Sequence, residues 1–138
     1  MSFAFDIRVY WEDTDAGGIV FYANYLKFME RARTEWLRAM GIEQHALREA
    51  TGGMFVVSET QLKYHRPARL DDLLVVTAEL TQRGAASLTI AQRVLSKAEP
   101  DVPLCEGAIR IGWVDAASLR PARIPRHVAG TLERHCAP

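Results

Sequence analysis

Tyr22-Ala23-Asn24-Tyr25-Leu26-Lys27-Phe28-Met29-Glu30-Arg31-Ala32-Arg33-Thr34-Glu35-Trp36-Leu37-Arg38-Ala39-Met40 reads as one long amphipathic helix and decides the architecture. Tyr25, Phe28, Met29, Ala32, Trp36 and Met40 fall within roughly 120° of arc at ~100° per residue, while Lys27, Glu30, Arg31, Thr34 and Arg38 lie off that arc. Gly41 stands where a helix commonly ends, and Arg38 suits the negative end of the helix dipole. A single apolar stripe of this length needs a sheet to cover it.

Working outward, the flanks supply that sheet. Phe3, Phe5, Ile7 and Val9 share one parity over residues 3–10, the alternation of a half-buried strand. Residues 43–53 read as a short helix and a glycine-rich turn, and residues 55–64 as a strand stopped by Arg66-Pro67. Residues 73–82 alternate, and Arg83-Gly84-Ala85-Ala86 turns the chain into a strand over 87–95. Glu99-Pro100-Asp101 turns it again into residues 104–114, where Cys105, Ile109, Ile111 and Trp113 share one face. Pro125 opens a short last helix. Strand, helix, then four strands joined without long crossovers predict an α+β domain over residues 1–138 with an antiparallel sheet.

Composition narrows the function. The 138 residues hold 17 Lys+Arg against 17 Asp+Glu, with no basic run. Binding to nucleic acid through phosphate neutralisation is disfavoured, and a near-zero charge does little to keep subunits apart. No apolar run approaches the ~18 residues of a membrane span, and residues 1–6 lack the basic start and apolar stretch of a signal peptide. Cys105 and Cys136 are far apart and read as free thiols in a reducing compartment, so a cytoplasmic location is expected.

The chemistry concentrates just before the helix, in Trp11-Glu12-Asp13-Thr14-Asp15-Ala16-Gly17-Gly18-Ile19-Val20-Phe21-Tyr22. Glycines let backbone approach a ligand closely, and a helix start offers free N–H groups that strengthen their hold on a carbonyl as it becomes an oxyanion. A carboxylate beside them can attack that carbonyl or activate a water, and the helix end favours its ionised form. The same residues also read as caps or solvated acids. The glycine placement does not match a calcium loop and no His pair has helical spacing, so no metal or other cofactor is expected.

Residues 10–25, followed by Phe28-Met29-Glu30-Arg31-Ala32-Arg33, resemble the signature of the 4-hydroxybenzoyl-CoA thioesterase family, most closely its Tol-Pal-associated acyl-CoA thioesterase branch. Tyr64-His65-Arg66-Pro67-Ala68-Arg69-Leu70-Asp71-Asp72 and Gly84-Ala85-Ala86-Ser87-Leu88 extend the match. The resemblance implies a hotdog fold, with five antiparallel strands wrapped around the long helix. It also implies a homodimer or homotetramer whose active sites lie between subunits, and an acyl-CoA substrate. Under it Asp15 is the catalytic nucleophile or base, and the Tyr22 backbone N–H polarises the thioester carbonyl. Gly17, Gly18, Val20, Phe21 and Tyr25 become candidate substrate contacts, with Tyr25 also readable as helix core. Relatives often carry His at the position of Tyr22, and some place basic residues near the turn at Ser87, where this chain has only Arg83 nearby.

Glu59 is a further candidate contact, set against a plain surface position on its strand. His65 reads as an exposed strand end, Arg66 and Arg69 equally as phosphate contacts or as partners of Asp71 or Asp72, and Ser58 and Ser87 lack the His and Asp of a serine nucleophile motif. Two rivals remain. A dehydratase would need a His in the acidic loop, which has none. A non-catalytic acyl-CoA-binding or scaffold protein, associated peripherally with membrane lipid-synthesis proteins, is the other.

Overall fold

The computed structural model describes residues 3–136. Five strands, β1 (Phe3–Arg8), β2 (Gly53–Tyr64), β3 (Leu73–Arg83), β4 (Ser87–Ser96) and β5 (Pro103–Asp115), form one antiparallel sheet in the order β1-β3-β4-β5-β2. The helices are α1 (Asn24–Ala39), α2 (Gln44–Thr51) and α3 (Arg126–His135). This is the α+β hotdog arrangement, with α1 lying on the inner face of the sheet against β1, β3 and β4.

The helical stripe packs largely as its spacing predicts, with Leu37 joining it and Met40 only partly buried at the helix C-cap. Tyr25, Phe28, Met29, Ala32, Trp36 and Leu37 are buried on α1, facing Ile7, Leu74, Val76, Ala78 and Ile90 in one core. Burying each of the large side chains contributes roughly 1.5–3 kcal/mol, which holds a helix that has no side-chain cap at Ala23. Val128 and Leu132 of α3 close one end of this core, and Leu47 of α2 packs beside β2.

Two features separate the chain from a simple strand-by-strand reading. First, β2 follows α2 in sequence but pairs with β5, so β1 and β2 occupy opposite edges. Second, β2 carries a bulge between Val57 and Glu59. Phe55 and Val57 lie opposite Trp113 and Ile111 on the inner face, whereas Glu59 lies opposite Arg110 on the outer one. A bulge adds one residue and reverses the parity of everything after it.

Candidate functional site

Residues 9–25 fold around Asp13. Its carboxylate accepts the Tyr10 N–H at 2.8 Å, capping a 3₁₀ turn over Trp11–Asp13. Its carbonyl accepts both the Phe21 N–H at 2.9 Å and the Asn24 side-chain amide at 2.8 Å. Asp13 is only 5% exposed. The acidic run is therefore split in role: Asp13 is a buried tie between the loop and the first residue of α1, while Glu12 and Asp15 are exposed.

From that tie the chain makes a tight excursion. Thr14 bridges Val20, the Asp15 N–H donates to the Ile19 carbonyl at 3.0 Å, and the Gly18 N–H donates to the Asp15 carbonyl at 3.0 Å. Gly18 has φ +75°, a left-handed conformation that costs a side chain energy. Gly17 donates its N–H to Asp15 Oδ1 at 2.8 Å, and a Cβ there would stand 3.2 Å from the same oxygen. The Asp15 carboxylate is thus aimed by the backbone of the glycine beside it. The Val20 N–H reaches the Ala68 carbonyl at 2.8 Å and Ile19 bridges Arg69, which clamps the excursion to the segment before β3.

The helix start is fixed from a different direction. The Tyr64 hydroxyl, at the end of β2, donates to the Tyr22 carbonyl at 3.0 Å. Its ring also meets the rings of Tyr22 and Tyr25, with centroids 6.3 and 5.6 Å away. The Tyr25 hydroxyl accepts the Ala68 N–H at 3.0 Å. Burial raises the pKa of both Tyr25 and Tyr64 above the ordinary phenol value, so both keep their protons at neutral pH. The Phe21 carbonyl takes the Asn24 N–H at 2.8 Å, and among the described residues no acceptor takes the Tyr22 N–H. An open amide at a helix start is a ready donor for a polarised carbonyl.

The expected contacts divide accordingly. Asp15, Gly17, Gly18, Phe21 and Tyr22 are all exposed on the loop, with Phe21 and Tyr22 in ring contact at 4.9 Å. Val20 is buried beneath it, and Tyr25, 3% exposed, is a core residue with its hydroxyl already engaged. Glu59 is not brought to the loop, because the β2 bulge turns it to the outer face. Arg83 is also remote within one chain. It ends β3, whose eleven residues extend it about 30 Å from the loop end, and its guanidinium is held by the Ala129 carbonyl and Glu133. Asp72 receives the Arg69 backbone N–H, and neither Arg66 nor Arg69 forms an ion pair among the described residues. His65 faces Glu106 at 3.4 Å. No group of three His, Cys, Asp or Glu side chains suited to a metal ion occurs among the described residues. Tyr64 and Asp13 are the positions that loop spacing alone did not single out as structural anchors.

Known proteins place the chain in a family. The model of the thioesterase-like superfamily matches residues 9–132. The acyl-CoA thioesterase YbgC of Haemophilus influenzae is 39% identical over 127 residues, 92% of this chain and 91% of its own length. The acyl-CoA thioester hydrolase YbgC of Escherichia coli O157:H7 is 39% identical over 132 residues, 96% of each. Among solved structures, a probable thioesterase from Bartonella henselae superposes with TM-score 0.83 at 30% identity, over 91% of this chain and all of that one. A 1,4-dihydroxy-2-naphthoyl-CoA thioesterase from Synechocystis shares the fold at TM-score 0.89 and 17% identity, over the full length of both. On sequence and architecture together, the chain belongs to the thioesterase-like superfamily.

Proposed function

We propose that this chain hydrolyses acyl-CoA thioesters, with Asp15 as the catalytic carboxylate and the Tyr22 N–H as the donor to the thioester oxygen. The observation that carries this reading is the Asp15 carboxylate, exposed and aimed by the Gly17 amide, on the loop that runs into the open Tyr22 amide. As base, Asp15 takes a proton from water while the oxygen adds to the carbonyl carbon. As nucleophile, its own oxygen adds and water later cleaves the mixed anhydride. In both routes the carbonyl oxygen gains negative charge near the helix start, the C–S bond breaks, and CoA leaves as the thiol.

The site is completed between two copies of the chain. β2 is an edge strand of twelve residues, offering an unpaired backbone row along which a second β2 can add. Such dimers can pair into tetramers, in the cytoplasm or beside lipid-synthesis proteins of the membrane. The test is thiol release from acetyl-, hexanoyl-, palmitoyl- and benzoyl-CoA, with binding of each ester measured in parallel. Turnover of at least one ester is expected. Binding without release of thiol would replace hydrolysis by the acyl-CoA-binding reading.

A further inference from the structure

α1 packs chiefly on β1, β3 and β4, which leaves part of the inner face between α1 and β2 open. A hollow of about 540 Å³ lies there, floored by Leu26, Val57 and Ile109 and rimmed by Lys27, Glu30, Arg31 and Arg33. A smaller hollow of about 180 Å³ continues beyond Arg33. Leu26, Glu30 and Arg33 follow i, i+4, i+7 spacing, so the hollow runs along one face of α1 from the end that bears Tyr22.

Arg33 is unusual in this setting. The residue is 8% exposed, yet no carboxylate lies within ion-pair distance among the described residues. Its one recorded hydrogen bond goes to the neutral Gln92 Oε1 at 3.0 Å. Gln92 cannot turn to do more, because its amide nitrogen already donates to the Met29 and Thr77 carbonyls. Burial pulls the guanidinium below its ordinary pKa, with Glu30 opposing. A guanidinium carries five N–H donors, and no wholly buried side-chain nitrogen lacks a partner among the described residues. The unused Arg33 nitrogens are therefore not wholly buried, and Arg33 lines both hollows. Three cations against one carboxylate leave the hollow net positive above an apolar floor.

We propose that this hollow receives the acyl group and that Arg33 reads a carboxylate at its far end, making CoA half-esters of dicarboxylic acids the preferred substrates. This rests on the thioester-hydrolase reading. Arg33 lies eleven residues beyond Tyr22, about 16 Å along the axis at helical rise, and helical side chains lean back toward the N-terminus. A thioester at the Tyr22 amide therefore places the end of a medium-length chain near the guanidinium. A buried cation with free donors gains more from a carboxylate than from a methyl group, and Lys27 and Arg31 add to the attraction.

The experiment compares adipyl-CoA with hexanoyl-CoA, alike in carbon number and different at the far end. Wild-type kcat/KM is expected to favour adipyl-CoA by roughly tenfold or more, the scale of one charge-assisted hydrogen bond. In Arg33→Met that ratio falls toward one. A wild type that prefers hexanoyl-CoA overturns the proposal without any variant. An Arg33→Met protein that loses both substrates equally also overturns it, because the cation would then serve the CoA phosphates common to both. Calorimetric binding of the two esters to Asp15→Asn protein reads the same preference without turnover. Wild-type protein that releases no thiol from either ester while binding adipyl-CoA more tightly refutes the enzymatic reading and keeps this one.

Discussion

Replacing Asp13 by Ala tests whether a buried carboxylate, and not merely an acidic loop, holds the site together. The substitution removes the acceptor of the Tyr10 N–H at 2.8 Å, while the Asp13 carbonyl keeps Phe21 and the Asn24 side chain. Leaving a donor unpaired costs about 1–3 kcal/mol when water cannot reach it. Tyr10 is itself exposed, so solvent recovers part of that loss, and the expectation narrows to about 1–2 kcal/mol. For a chain of this size that lowers Tm by roughly 3–8 °C. Activity suffers beyond the stability change, because Asp13 anchors the segments on both sides of Asp15. A loop displaced by about 1 Å can cost on the order of a hundredfold. Glu12→Ala is the control, exposed and without a recorded partner among the described residues, with a change within about 0.5 kcal/mol. Thermal melts followed by circular dichroism and thiol release from the best CoA ester read both effects. Equal Tm and equal turnover in the two variants would refute the anchoring role.

Tyr64→Phe keeps the ring packed on Tyr22 and Tyr25 but removes the donor to the Tyr22 carbonyl. Steady-state kinetics should show kcat reduced about threefold to tenfold, the scale of one hydrogen bond, with KM nearly unmoved. Burial and the neighbouring Glu106 push the Cys105 thiol from its ordinary 9.0 up to about 12, so native protein should resist thiol reagents at this residue until it unfolds. Because the folded state holds that proton more tightly, stability is intact below the ordinary thiol pKa of 9.0 and falls as pH rises toward about 12. Melts of wild type and Cys105→Ala across that range should converge as pH rises if the thiol contributes as described.

The sequence made α1 legible because six apolar residues repeat at helical spacing with charges on the other faces, and nothing in the fold overrides that stripe. The strands were equally readable as alternation, including the buried face of Cys105, Ile109, Ile111 and Trp113. Asp15 could be proposed from local pattern, a carboxylate and two glycines ahead of a helix start, whereas the part given to the Tyr22 N–H came from the family resemblance. What spacing did not reveal depends on distant pairing. Glu59 follows Phe55 and Val57 in strict parity on paper, and only a bulge set by the pairing of β2 with β5 moves it to the outer face. The Tyr64 hydrogen bond joins residues 42 positions apart, a distance closed by the strand order. The Arg33–Gln92 contact spans 59 positions, and the helical pattern assigned Arg33 to neither face, so its burial comes from packing.

The central claim is most directly tested by Asp15→Asn. The Asn side-chain oxygen can still accept the Gly17 N–H that aims Asp15, so the loop keeps its shape while the nucleophile or base is lost. Measured by thiol release beside ester binding, kcat should fall roughly 10²–10⁴-fold with affinity preserved. Turnover within a few-fold of wild type would contradict the account.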